Sequence, residues 1–202
     1  MLDGDRLRLT AADPSDLTVA MLPAPTRLVV GGSKLFGRSD GLFRRFDAPR
    51  PRAAAVRATV EQVQSAGPAR EVPKGKRGVA EAPSDEDFRQ AAVWRVKLPR
   101  GIDARRDLLL RFAYVGDAAR VYLDGKLLTD DFYNGNAFEF GLRRYAPDVY
   151  RKELLLKVLP LRKGAPIYLT DDAWPDFGTA DSAVRLESAE VIERHVTKLK
   201  AG

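Results

Sequence analysis

Residues 107–135 read DLLLRFAYVGDAARVYLDGKLLTDDFYNG, and no other stretch restricts the fold as tightly. Leu108, Leu110, Phe112 and Tyr114 fall on one side of an extended chain and Leu109, Ala113 and Val115 on the other, with Arg111 the only charge among them. A strand apolar on both faces belongs inside a sheet that is covered twice. Gly116-Asp117 breaks it, and Asp124-Gly125 then separates two β-prone runs. Asp-Gly in that setting predicts a two-residue type I′ hairpin, because both central positions need positive φ. Such a loop pairs Leu123 with Lys126, Tyr122 with Leu127 and Val121 with Leu128. Val121, Leu123 and Leu128 then share one face, and Tyr122 and Leu127 the other.

The flanking sequence has the same habit. Residues 6–10 and 16–22 alternate apolar and polar, with Asp13-Pro14-Ser15 as turn chemistry between them, and residues 28–30 and 42–46 suit two more strands. Strands are also expected at 93–98, 138–142, 153–159 and 167–169, and a short helix at 85–90 behind an N-cap at Ser84. Residues 53–64 fit either form, since Val56, Val60 and Val63 keep helical spacing while their β-branching favours a strand. The tail at 183–199 also fits both, and in a sheet-dominated chain closing strands are expected. Many short strands between Pro, Gly and Asp turns predict an all-β antiparallel sandwich or jelly roll. Three segments follow: a small strand-rich part at 1–50, a linker or long loop at 51–86, and the sandwich at 87–202.

Composition closes several classes of chemistry. There is no cysteine and one histidine, His195, so neither a disulfide nor a His/Cys-ligated transition metal can be assembled. His195 stands near the end of the sequence, a poor place to hold a base for a Ser/His pair. No apolar run has the length of a membrane-spanning helix, and residues 1–5 carry no basic-then-apolar leader, so no membrane partner and no export signal are expected. The 34 basic and 28 acidic residues give a net charge of +6. The excess is scattered, clustering only at Arg44-Arg45, residues 74–77, Arg105-Arg106 and Arg143-Arg144, beside acids or turn residues. That describes a solvated surface, and no nucleic-acid partner is expected. Gly31-Gly32-Ser33-Lys34 lacks the earlier glycine of a phosphate loop, because position 27 is Arg.

The hairpin ends in Asp130, Asp131, Phe132, Tyr133 and Asn134, and a loop further on carries Asp171, Asp172, Trp174 and Asp176. Aromatic rings stack on the apolar face of a pyranose while carboxylates and amides beside them bond its hydroxyls. Asp130, Asp131, Phe132, Tyr133, Asn134, Tyr168 and Trp174 are therefore the candidate carbohydrate contacts. Against this, Phe132 and Trp174 are also the kind of residue that plugs the end of a sandwich core. No catalytic residue is assigned: Asp130 and Asp131, if in a strand, point to opposite faces and cannot act as a hydrolytic pair with each other. Asp171, Asp172 and Asp176 are weak candidates for an oxygen-ligated structural calcium, the one cofactor in question, although their spacing is not that of an EF-hand.

The succession from Trp94 through DLLLRFAYVGD, VYLDGKLLTDDFYNG, residues 138–144, KELLLKVLPL and Ala173-Trp174-Pro175 to SAEVI resembles the C-terminal galactose-binding-like jelly-roll region of bacterial family 35-type glycoside hydrolases, the β-galactosidases. The resemblance covers about the last 115 residues and implies a non-catalytic accessory region that binds carbohydrate or braces a glycosidase catalytic domain. It also implies a periplasmic or extracellular setting. In that family the catalytic glutamates belong to a (β/α)₈ barrel, whose strand and helix alternation is not seen in this chain. The alternative is a protein–protein interaction β-sandwich without carbohydrate specificity.

Overall fold

The computed structural model describes residues 2–3, 6–11, 17–30, 33–48 and 55–201. They fall into two compact units, Met1–Ala55 with Ile192–Gly202, and Val56–Val191. The described residues form antiparallel strands and short 3-10 turns, with no α-helix among them.

The first unit begins with β1 (Leu2–Asp3), β2 (Arg6–Ala11), β3 (Leu17–Met21) and β4 (Arg27–Val30). It continues with β5 (Ser33–Phe36), β6 (Arg38–Asp40) and β7 (Phe43–Ala48). The second contains β8 (Val56–Arg57), β9 (Thr59–Gln64), β10 (Ala92–Lys97), β11 (Leu108–Val115), β12 (Ala118–Leu123) and β13 (Lys126–Phe132). It ends with β14 (Phe138–Gly141), β15 (Leu154–Val158), β16 (Leu161–Arg162), β17 (Ser182–Ala183) and β18 (Arg185–Glu193), after which β19 (His195–Ala201) returns to the first unit.

In the first unit the sheet orders are β1-β2-β19-β4-β5 and β3-β7-β6. Leu28, Phe46 and Leu199, from β4, β7 and β19, form its buried centre. The expected turn at Asp13-Pro14-Ser15, the pair Gly31-Gly32 and the side chain of His195 lie outside the described residues. Ser33 and Lys34 already belong to β5, which folds back on β4 through Val30↔Ser33. A hairpin stands where a phosphate loop requires a helix.

The second unit is an antiparallel sandwich. Its sheets run β13-β12-β15-β10-β9 and β14-β11-β18-β8, with β16 and β17 a small separate pair. One buried cluster draws Trp94, Val121 and Leu156 from the first sheet and Leu110, Phe112, Phe138 and Val191 from the second. β11 has a neighbour on either side, and its alternate residues Leu108, Leu110, Phe112 and Tyr114 all enter that core, as a period of two requires. Rings of Phe112, Phe138 and Phe140 meet at 6.0 to 6.3 Å in tilted contacts.

The hairpin forms as its turn chemistry demands, with φ 51° at Asp124 and 78° at Gly125. Leu123↔Lys126 and Tyr122↔Leu127 pair as expected, but the register then shifts and Val121 faces Thr129. The expected Val121–Leu128 pairing is corrected by this β-bulge. Leu128 still packs half-buried on the core, so the bulge keeps its apolar side chain inward while re-aiming the strand beyond it.

Four other expectations change. The stretch at 51–86 contains β8 and β9, and β9 pairs along β10 from Thr59↔Lys97 to Gln64↔Val93, giving that strand the second partner its backbone needs. The sandwich thus begins at Val56 and not at 87, and it ends at Val191 because β19 pairs with β2 and β4. Residues 65–86 are also anchored: Arg70 Nε donates to the buried Asp117 carboxylate at 2.8 Å, and Arg70 Nη2 to the Glu81 carbonyl at 3.0 Å. Residues 167–169 form no strand, since the Ile167 N–H turns back onto the Ala165 carbonyl at 2.8 Å. The expected helix at 85–90 is a 3-10 turn, Asp87–Gln90, before which the Asp87 carboxylate accepts from the Ser84 N–H at 2.7 Å and its hydroxyl at 2.8 Å.

Candidate functional site

Where β11 passes into β12 the chain makes the Gly116-Asp117 turn, and a Cβ on Gly116 would sit 2.3 Å from Val158 Cγ1 and 2.7 Å from the Leu159 carbonyl. Only glycine lets the turn lie this close to β15. The Asp117 N–H donates to the Leu159 carbonyl at 2.8 Å, and the Asp117 carbonyl accepts from the Tyr133 N–H at 3.1 Å. The turn clamped by Arg70 is therefore the one that places Tyr133.

Tyr133 follows β13 directly, and its ring meets the Tyr114 ring edge-on at 5.6 Å. Next, the Asn134 side-chain oxygen accepts from the Asn136 N–H at 2.9 Å, shaping a turn in which Gly135 has φ 85°. A Cβ on Gly135 would lie 2.7 Å from Ala173 Cβ, so this turn rests on the 3-10 turn Asp171–Ala173. Trp174 comes immediately after, and its ring lies 6.4 Å from that of Phe177.

These contacts enclose a depression of about 280 Å³ at one end of the sandwich, lined by Tyr133, Asn136, Asp172, Trp174, Asp176, Arg185 and Glu187 among others. Tyr133 and Trp174 are half-buried, each with a surface left to offer. Arg185 Nε donates to Glu187 Oε1 at 2.9 Å. The Asp172 carboxyl is held below its usual range by the Thr170 hydroxyl, while burial pushes the Tyr133 phenol up, eased by Arg185 and reinforced by Glu187. The depression offers two rings, a phenolic donor, an amide, the ionised Asp172 carboxylate and the side-chain oxygens of Asp176 and Glu187.

Asp131 is linked to this lining through Tyr114. Its Oδ2 accepts from the Tyr114 hydroxyl at 2.8 Å. Burial raises the Asp131 carboxyl above its ordinary range, the Tyr114 bond works against that rise, and Asp130 adds to it. Burial and the Asp131 charge together push the Tyr114 phenol up.

Of the seven expected contacts, Tyr133 and Trp174 line the depression, and Asp131 is bonded to Tyr114, another of its lining residues. Asn134 shapes the turn without lining the space. Asp130 is exposed on β13 opposite Arg120, the reverse face from Asp131 as the strand period required. Phe132 at 54 % and Tyr168 at 92 % exposure stand outside the depression, so Phe132 does not plug the core either. Among the described residues no group of three or more His, Cys, Asp or Glu is placed to hold a metal ion, the calcium candidates Asp171, Asp172 and Asp176 included. Asp176 instead accepts from the Gly178 N–H at 2.8 Å. Sequence reading missed Asn136, Arg185 and Glu187; the i, i+2 spacing of Arg185 and Glu187 on β18 was the one available sign that they share a face.

No protein-family model matches this chain, and no curated protein sequence matches it at a significant level.

Proposed function

We propose that the Val56–Val191 sandwich is a non-catalytic carbohydrate-binding module that takes a single sugar ring in the Tyr133–Trp174 depression. The observation that carries this reading is the meeting of those two rings with Asn136, Asp172, Asp176, Arg185 and Glu187 around one space. A pyranose needs an aromatic face for its C–H surface and fixed donors and acceptors for its hydroxyls, and both are present. At about 280 Å³ the space is at the low end of ligand sites, which suits one ring and not a chain. The passage of the chain from β10 to β11, back to β12 and β13, then to β14, β15 and β18 alternates between the sheets, which favours the jelly-roll type. Together with the likeness to β-galactosidase accessory regions, it makes a galactoside the first ligand to try and a glycosidase catalytic domain the natural neighbour.

Trp174 reports directly on binding, because the chain's other tryptophan, Trp94, is buried in the core. Titration of the full chain with galactose, lactose and a panel of neutral glycans should give saturable change in tryptophan emission, lost in Trp174→Phe. Absence of any saturable response by fluorescence and calorimetry overturns the reading. A second reading, a protein-interaction sandwich without sugar specificity, is favoured by β9, which ends its sheet with all six residues exposed. It predicts that a glycosidase catalytic domain is retained equally by wild type and Trp174→Phe, and lost when Val60 and Val63 become Lys.

A further inference from the structure

The opposite end of the same sandwich carries a larger recess. The β10–β15 and β12–β15 registers put Val96, Leu123 and Leu154 at one end of their sheet and Ala92, Ala119 and Val158 at the other. The Tyr133–Trp174 depression belongs with the second set, since β12 starts there straight after the Gly116-Asp117 turn. At the first end lies a groove of about 730 Å³, well within the size of organic-ligand sites.

Its lining has two characters. Val96, Val149 and Leu154 are buried, and Leu98 and Ile102 pack half-buried on the main core, giving an apolar floor. Around it stand Arg95, Lys97, Arg100, Arg151 and Lys152 against one carboxylate, Glu153. Arg95 is neutralised by Glu61 at 3.0 Å and Glu153 at 2.8 Å, and Lys152 by Asp148 at 3.0 Å with Asp124 at 3.6 Å. Lys97, Arg100 and Arg151 are exposed and have no ion pair among the described residues. Tyr150 belongs to the same lining, and its hydroxyl is buried just behind that surface without a hydrogen-bond partner. A buried donor left open is costly, and unpaired cations beside an apolar floor do nothing for the fold. The combination suits a ligand that brings an acceptor, a negative charge and a carbon frame together.

We propose that this groove is a second binding site, for an organic anion. The carboxylate, sulfate or phosphate of the ligand meets Lys97, Arg100 and Arg151, an oxygen of it accepts from the Tyr150 hydroxyl, and its frame lies on Leu98 and Ile102. The assignment does not depend on the saccharide reading of the other end.

Calorimetric titration of the full chain with glucuronate, glucose 6-phosphate, inorganic phosphate and glucose tests it. Saturable binding is expected for glucuronate and glucose 6-phosphate, weaker binding for phosphate and none for glucose, with affinity falling as salt rises. Lys97→Ala, Arg100→Ala and Arg151→Ala should each weaken it about tenfold, the loss of one charge-assisted contact. Tyr150→Phe should weaken it several-fold while leaving the melting temperature unlowered, and Trp174→Phe should leave it unchanged. No saturable binding of either organic anion, or binding that survives all three charge substitutions, overturns the proposal. Phosphate binding as tightly as glucose 6-phosphate overturns the part that assigns the apolar floor to the ligand.

Discussion

The Tyr114 hydroxyl and the Asp131 carboxylate join the two sheets of the sandwich by a 2.8 Å hydrogen bond, and Tyr114 also lines the Tyr133–Trp174 depression. Tyr114 stands on β11 of one sheet and Asp131 on β13 of the other. The Tyr114 ring also carries the edge of Tyr133 at 5.6 Å, so one side chain links core, carboxylate and candidate sugar platform.

Asp131 makes stability depend on pH in a direction opposite to that of an ordinary surface carboxylate. Its carboxyl is raised chiefly by burial, so the folded state holds the proton more tightly than the unfolded chain does. The contribution is fully present below the unfolded value of about 3.9 and is lost as pH rises through the higher folded value. Asp131→Asn keeps an acceptor for Tyr114 and removes the charge. It should match or exceed the wild type at neutral pH, by no more than about 1 kcal/mol because Asp131 is only half-buried, and lose that advantage in acid. Denaturant unfolding across this pH range measures it.

Arg70 and Asp117 have side chains only 8 % and 5 % exposed. Arg70→Ala should destabilise the sandwich by about 3–5 kcal/mol by stranding a buried carboxylate. Arg70→Met with Asp117→Asn should recover much of that loss. Because the Asp117 carbonyl holds the Tyr133 N–H, Arg70→Ala should also weaken the proposed galactoside binding at temperatures where the chain is still folded. A double-mutant cycle with a binding assay on the folded variants separates the two effects.

Gly135 combines φ 85° with a 2.7 Å approach to Ala173 Cβ. Gly135→Ala should cost about 1–2 kcal/mol for the left-handed backbone and push the 134–136 turn off the 171–173 turn. On the proposed function, galactoside affinity should fall more than tenfold with the fold intact by circular dichroism. Gly125→Ala, with φ 78° and nothing within 4 Å of its Cβ, should carry the backbone cost alone and leave affinity unchanged.

Leu199 lies with Leu28 and Phe46 at the centre of the first unit. Leu199→Ala should destabilise that unit by about 2–5 kcal/mol, through lost transfer energy and a cavity. Hydrogen exchange should show the loss in β2, β4 and β19 and leave β10, β11 and β15 protected.

Local chemistry made the central hairpin and the core face of β11 readable, because a type I′ turn and a period of two are properties of neighbouring residues. The bulge at Leu128 was not readable, because it depends on how much room the opposite sheet leaves for that side chain. β9 was ambiguous for a related reason: all six of its residues are exposed at a sheet edge, so no buried face imprints alternation on it.

The sequence alone determined an all-β antiparallel chain and singled out Tyr133 and Trp174 as rings beside polar groups. Tertiary structure decided which of the candidates meet: Tyr133 and Trp174 come together because Gly135 lets one loop rest on Ala173, whereas Phe132 and Tyr168 are turned to solvent. It also took β19 away from the sandwich and gave it to the first unit, and gathered Lys97, Arg100, Arg151 and Tyr150 around one groove. Residues up to 54 positions apart in the chain are neighbours there only because β10 and β15 pair side by side, and strand pairing over that distance is settled by the packing of a whole core, not by the residues themselves.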